Sequence, residues 1–250
     1  MVKRLSQHYP LADEQQNRSR LHPFWDFWGP VLFTFALYFG IRQFVVEARY
    51  IPSGSMLPGL QIQDRLLVEK LSYLPRPPKR GEIVVFRAPQ SFDPALKQDY
   101  AASPLRCFIA TLPIIGGIPG VQQPACEAFI KRVVAIPGDK VEVDPSGHLK
   151  INGKAVKEPY VTRYCPTGNG QGCRPLRAVV PPKSVLVLGD NRANSWDGRF
   201  WPGTHFVPDN QIIGRAFFRF WPLNSVGSLV SPDPTTTAQP PATPKPTAAP

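Results

Sequence analysis

Two hydroxyls, one amine and one dense polar loop hold most of the reactive chemistry in this sequence. Ile51-Pro52-Ser53-Gly54-Ser55-Met56-Leu57-Pro58 sets Ser53 and Ser55 on a turn. Proline fixes φ on either side, and glycine lets the backbone approach another chain closely. Such a turn can offer one hydroxyl as a nucleophile and a second as a hydrogen-bond donor. The same composition also suits an ordinary serine-rich turn. Phe129–Ile136 reads as a strand, with Lys131 sharing a face with Phe129, Val133 and Ala135, and Arg132 sharing the other with Ile130, Val134 and Ile136. One of the two cations therefore points toward apolar neighbours. Arginine keeps its proton, whereas lysine can lose it. A free lysine titrates near about 10.4, and burial lowers that value enough to make a neutral amine available as a base. The competing reading is an edge strand whose lysine snorkels to water. The loop Gly189–Arg199 follows the strand Val185–Leu188 and holds Asp190, Asn191, Arg192, Asn194, Ser195, Asp197 and Arg199. A polar loop on a strand end suits a site built from hydrogen bonds. Asp197 and Arg199 are spaced for a bidentate pair, which would stiffen either a site or a solvated loop.

These pieces need elements to carry them. The chain has 250 residues, with 31 prolines and 19 glycines, so long helices are disfavoured and a loop-rich β fold is expected. Leu66–Val68, Glu82–Phe86, Val141–Val143, Val185–Leu188 and Ala216–Phe220 read as strands. Pro145-Ser146-Gly147 and Asn152-Gly153 read as turns joining short hairpin strands. Cys107 and Cys126 bracket one Gly/Pro-rich loop, and Cys165 and Cys173 bracket another. None forms a CxxC pair, which disfavours zinc; two loop-bracketing pairs suit an oxidising compartment, although four unpaired thiols remain an alternative.

Phe27–Ile41 is uncharged and would span about 22 Å as a helix; extended from Trp25 to Val46 it would reach about 33 Å. Trp25 and Trp28 stand at its start, and Lys3, Arg4, Arg18 and Arg20 precede it. These features predict a membrane anchor over 25–46, a cytoplasmic segment over 1–24, and an extracytoplasmic domain over 50–230. A cleavable leader ending at Val46-Glu47-Ala48 and a buried core helix are the alternatives. The stretch from Cys107 to Cys126 carries too many prolines and glycines to span, and reads as a surface loop. Residues 231–250 hold no large apolar side chain and read as a disordered Pro/Thr-rich tail. The segment from Tyr50 to Val230 carries 22 Lys/Arg against 13 Asp/Glu. Its basic residues are scattered and no nucleic-acid module is evident, so membrane lipid is the expected anionic partner rather than nucleic acid.

The three reactive pieces, in this order behind an apolar segment, resemble the type I signal peptidases, or leader peptidases. Residues 51–58 match the nucleophile box of that family, Gly81-Glu82-Ile83-Val84-Val85-Phe86 its second box, Lys131–Asp139 its lysine box and Gly189–Arg199 its last. The resemblance runs from Tyr50 to Val230. It implies Ser55 as nucleophile and Lys131 as general base. Ser53 would supply an oxyanion donor beside the Ser55 N–H, and Ser195 would hold the lysine amine. Asp197 and Arg199 would support the loop, and Ile51, Leu60 and Ile130 would line small substrate pockets. The sequence departs from the family at Gly59, where threonine is usual, at Gly198, where serine is usual, and at Pro202 within Trp201-Pro202-Gly203. The Trp221-Pro222-Leu223-Asn224 ending is similar to the cyanobacterial and plastid branch.

The implied fold is a mainly antiparallel β-sheet signal-peptidase fold with an inserted region near 88–128. The implied function is a membrane-anchored serine endopeptidase that cuts signal peptides from exported preproteins after small residues at −1 and −3. No metal or organic cofactor is implied. The expected location is the plasma (inner) or thylakoid membrane, crossed once. A narrower Ser/Lys processing peptidase for pilin-like substrates is a second reading, and a non-catalytic membrane-tethered β-domain a third.

Overall fold

A computed structural model describes residues 22–87, 128–166, 173–229 and 235–236. The loop from Cys107 to Cys126, most of the expected insert and most of the expected tail lie outside these residues. The chain divides into two units, Met1–Phe44 and Val45–Pro250.

In the first unit, α1 (His22–Gly40) is a helix with Pro30 inside it. Thr34 donates its hydroxyl to the Pro30 carbonyl. A π-helical turn, Ile41–Val45, follows. Phe24–Val45 is long and apolar enough to cross a membrane, and none of its most apolar window is buried in protein.

The second unit is antiparallel β structure. Chain order gives β1 (Val46–Tyr50), β2 (Arg65–Glu69), β3 (Ile83–Arg87), β4 (Ala128–Ala135), β5 (Lys140–Val143), β6 (Leu149–Ile151) and β7 (Lys154–Lys157). Then come β8 (Leu176–Val179), β9 (Ser184–Leu188), β10 (Phe206–Pro208), β11 (Ile212–Trp221), β12 (Gly227–Ser228) and β13 (Thr235–Thr236). The larger sheet runs β1-β2-β11-β3-β4-β9-β10, with β12 on β11; the smaller runs β13-β7-β6-β5-β8. Residues 46–50, expected to end the anchor or link it onward, instead form β1, which pairs Val46 with Glu69 and Tyr50 with Arg65. Thr235–Thr236, inside the expected disordered tail, pair with Lys157 and Val156 of β7. β-Branched residues suit an edge strand even where no apolar residue anchors them.

Three apolar clusters hold the two sheets. Ile51, Met56, Leu60, Leu66, Val68, Ile83, Val85, Ile130 and Ala216 form the one beneath the serine turn. Val84, Phe86, Val133, Val185, Val187, Trp201 and Val207 form the second. The third joins the sheets: Val134 and Ala135 of β4 and Leu186 and Leu188 of β9 pack with Val141, Val143, Leu149, Ile151 and Leu176 of the smaller sheet. Strict alternation along β4 fails at Ala135, which joins the cluster of Val134 rather than that of Val133. The β4–β9 register shifts between Val133 and Ala135. A bulge there gives two consecutive residues the same side.

The expectation that one of the two cations on β4 points inward is also corrected: both are buried, Lys131 at 4% and Arg132 at 3% exposure. Arg132 is compensated. Its Nε and Nη2 donate to the two oxygens of Asp190 at 2.8 and 2.7 Å, and Nη1 donates to the Gly81 carbonyl at 2.7 Å. The Tyr160 ring lies 4.1 Å from its guanidinium carbon. Removing one member of such a pair strands a buried charge. Asp190→Ala should therefore lose about 3–5 kcal/mol in urea unfolding at neutral pH, with the protein held in detergent. A loss under about 1 kcal/mol would mean that the other contacts of Arg132 suffice.

Candidate active site

The serine turn is a closed loop between β1 and β2. Ile51 donates its N–H to the Asp64 carbonyl and accepts from the Gln63 N–H, which ties the loop base. The Asp64 carboxylate accepts from the Gln61 N–H and from Arg219 of β11. Gly54–Met56 forms a single 3-10 turn, with Ser53 extended before it and Leu57 donating to the Gly54 carbonyl at 3.2 Å. Met56 and Leu60 point into the apolar cluster and hold the turn down.

Lys131, from β4, meets this turn. Its Nζ donates to Ser55 Oγ at 2.8 Å and to its neighbouring Ile130 carbonyl at 3.0 Å. Both side chains are buried. Burial pushes the Lys131 ammonium down to about 8, against the pull of the Asp197 and Asp190 carboxylates. A hydroxyl and an amine at this distance, with water excluded and no histidine between them, can pass a proton directly. Ser53 Oγ stands 3.5 Å from Ser55 Oγ and is exposed. Opening positions of a helical turn have N–H groups without intrahelical acceptors, so the Ser55 N–H is free in principle to serve a ligand.

The loop after β9 closes the site from behind. Arg199 bonds both oxygens of Asp197, each at 2.8 Å, and Asp197 Oδ2 also accepts the Gly189 N–H at 3.0 Å. Burial pushes the Asp197 carboxyl up, but these bonds and the Arg199 charge together hold it below the usual carboxylate range. Ser195 differs from expectation. The amine of Lys131 bonds to Ser55 and Ile130, and Ser195 Oγ is buried without an aligned partner. It lies near enough to Asp197 to favour that carboxylate. A Cβ on Gly189 would fall 2.2 Å from Ser195 Oγ and 2.5 Å from the Ser55 carbonyl, so this position must be glycine.

Ile51, Leu60 and Ile130 come together in the cluster under the turn. The structure thus gathers Ser53, Ser55 and Lys131 at one point, sets Asp197 and Arg199 behind them, and brings Ser195 to Gly189. Among the described residues no group of three or more His, Cys, Asp or Glu is arranged to hold a metal ion. Cys165 and Cys173 form a disulfide beside this loop, with Arg199 Nη1 against Cys173 Sγ.

Several contacts were not read from the sequence. Arg192 is buried against Glu158 and donates to the Gly147 and Gly189 carbonyls. Asn191 reaches the serine turn itself, donating Nδ2 to the Gly54 carbonyl and its N–H to the Ser55 carbonyl, both at 3.1 Å. Its neighbours Asp190 and Arg192 draw attention by charge, and a neutral amide gives no comparable signal. The departure at Gly198 has a steric reason. A side chain there would meet the His205 carbonyl at 2.5 Å and Leu186 Cδ1 at 2.8 Å.

The family model for signal peptidase, peptidase S26, matches residues 25–221. Signal peptidase I of Leptolyngbya laminosa is 45% identical over 194 residues, covering 77% of each chain. "Probable signal peptidase I-2" of Synechocystis is 43% identical over 190 residues, covering 76% of this chain and 70% of that one. "Probable thylakoidal processing peptidase 2, chloroplastic" of Arabidopsis thaliana is 34% identical over 189 residues, covering 76% of this chain and 42% of the relative. With that match spanning both the serine turn and the Gly189–Arg199 loop, this chain belongs to the signal peptidase family, peptidase S26.

Proposed function

We propose that this protein is a membrane-anchored endopeptidase that uses Ser55 as nucleophile and Lys131 as general base to remove signal peptides from exported preproteins. The observation that carries the reading is the 2.8 Å bond between the buried Lys131 amine and the buried Ser55 hydroxyl. Neutral Lys131 takes the Ser55 proton as Oγ attacks the scissile carbonyl. The Ser53 hydroxyl and the Ser55 N–H stabilise the oxyanion. Protonated Lys131 then hands its proton to the leaving amine, and water completes hydrolysis through the same base. Asp197 and Arg199 keep the surrounding loop rigid. Small pockets over Ile51, Leu60 and Ile130 would select Ala-like residues at −1 and −3. The apolar helix at Phe24–Val45 supports an anchor, and the basic residues before it support a cytoplasmic N-terminus.

The direct test is cleavage of a preprotein carrying an Ala-x-Ala site by the full chain in detergent. Ser55→Ala should abolish cleavage and leave the fold intact. Lys131→Arg should do likewise, because a guanidinium keeps its proton. Substantial turnover by either variant would remove the dyad from the mechanism.

The pH dependence follows from the direction of the Lys131 shift. The amine is the active form, so kcat/KM should be low in acid, rise through about 8 and then level off. A rate still climbing tenfold per pH unit above about 9.5 would mean that the lysine titrates like a free one.

Topology is tested by protease added to sealed vesicles with the periplasmic or lumenal face outward. Residues from Tyr50 onward should be digested and those before Trp25 protected. The reverse pattern would put Ser55 on the cytoplasmic side and rule out cleavage of translocated preproteins there.

A further inference from the structure

We propose that Asn191 is the positioning residue that aims the Ser55 N–H at the oxyanion, a role that rests on Ser55 being the nucleophile. The argument begins with the peptide unit between Gly54 and Ser55. The cis bonds among the described residues fall at Leu57-Pro58 and Trp221-Pro222, so the Gly54–Ser55 unit is trans. In a trans unit the carbonyl of Gly54 and the N–H of Ser55 lie in one plane and point in opposite directions. Whatever fixes the carbonyl therefore fixes the N–H.

Two donors hold that carbonyl. Leu57 N–H, at 3.2 Å, belongs to the turn and sets its shape. Asn191 Nδ2, at 3.1 Å, comes from the loop after β9 and sets the orientation of the turn against the rest of the site. The Asn191 N–H bonds the next carbonyl, that of Ser55, at 3.1 Å. One residue thus grips two successive carbonyls of the turn and leaves their opposite side, the N–H side, to the substrate. Gly189 allows this grip, because a side chain there would strike the Ser55 carbonyl at 2.5 Å.

The amide orientation follows from its partner. A carbonyl accepts only a donor, so Nδ2 faces Gly54, and Oδ1 is left buried without a partner. Asn191 is 2% exposed, so neither bond is exchanged readily with water. Donation to the Gly54 carbonyl also polarises the peptide and strengthens the Ser55 N–H as a donor. Asn191 touches neither Ser55 Oγ nor Lys131 Nζ among the hydrogen bonds of the site. Its contribution should therefore appear in transition-state stabilisation and not in the titration of the base.

The test uses the full chain in detergent with a peptide carrying an Ala-x-Ala site. Asn191→Ala removes the Nδ2 bond and keeps the backbone bond. Asn191→Asp keeps the shape and sets an acceptor against the Gly54 carbonyl. Each should lower kcat by about 10–100-fold, with KM within about twofold of the parent, because the donor is misaimed rather than lost. In Asn191→Ala the midpoint of the pH profile should stay where the parent has it, whereas the added carboxylate of Asn191→Asp should raise it, as the Asp190 and Asp197 carboxylates do. A peptide aldehyde of the same sequence forms a hemiacetal when Ser55 Oγ bonds its carbonyl carbon, the serine proton passing to Lys131 and the carbonyl oxygen carrying the charge. Its binding should weaken by the factor lost in kcat/KM. Wild-type kcat in both variants would overturn the proposal, as would a loss carried wholly by KM, a shifted pH midpoint in Asn191→Ala, or failure of both variants to fold. If Ser55→Ala cleaves like the parent, the nucleophile assignment itself has failed, and this is seen before Asn191 is varied.

Discussion

A primary amine shut away from water is the constraint around which the rest of this fold is arranged. Lys131 sits in the middle of β4 with strands on both sides, and its amine meets a hydroxyl brought from far away in sequence. Desolvation disfavours the ammonium, so the native state favours the neutral form at moderately alkaline pH. Two carboxylates, Asp190 and Asp197, oppose this by attracting the charged form. Each is bound face-on by an arginine, Arg132 and Arg199. Those guanidiniums blunt the field of the acids at the amine, so the buried ion pairs and the suppressed charge of Lys131 are parts of one electrostatic balance.

The same pairs give the loop Gly189–Arg199 its stiffness. Arg132, Arg192 and Arg199 are all nearly inaccessible, and each spends its donors on a carboxylate and on backbone carbonyls. A loop built from buried, directional bonds has few alternative arrangements, since each rearrangement leaves a polar group unpaired. The loop can therefore serve as a reference surface for the serine turn, which is short and has one 3-10 turn of its own. Apolar packing sets the turn's depth through Met56 and Leu60. Hydrogen bonding from the loop sets its rotation.

Much of this was legible in the chain. Short apolar runs of β-branched, leucine and phenylalanine residues marked β2, β3, β5, β9 and β11, and the lysine beside paired valines marked the strand that carries the amine. Other elements gave little local signal. β1 runs Val-Glu-Ala-Arg-Tyr, with both of its charged residues engaged in ion pairs, and it forms because β2 offers an edge. β8 and β10 are four and three residues long. Alternation along β4 allows one of Lys131 and Arg132 to face inward, and the burial of both was not legible because the compensation of Arg132 by Asp190 spans 58 positions and is invisible to periodicity. Ser195, expected to hold the lysine amine, lies against Gly189 and near the Asp197 carboxylate, while the bonds of that amine run to Ser55 and its own neighbouring carbonyl.

The grip of the Gly189–Asn191 segment on the serine turn runs to main-chain atoms. Recognition of that kind is indifferent to the identity of the residues it holds. A Cβ at Gly59 would meet the Asp190 carboxylate at 3.4 Å and the Met56 carbonyl at 3.6 Å, ordinary van der Waals spacing. A β-carbon therefore fits at that place without displacing the backbone. Such a scaffold lets the flank of a reactive turn drift in sequence while its backbone stays in register, which would allow descendants to retune the approach of a substrate without rebuilding the chemistry.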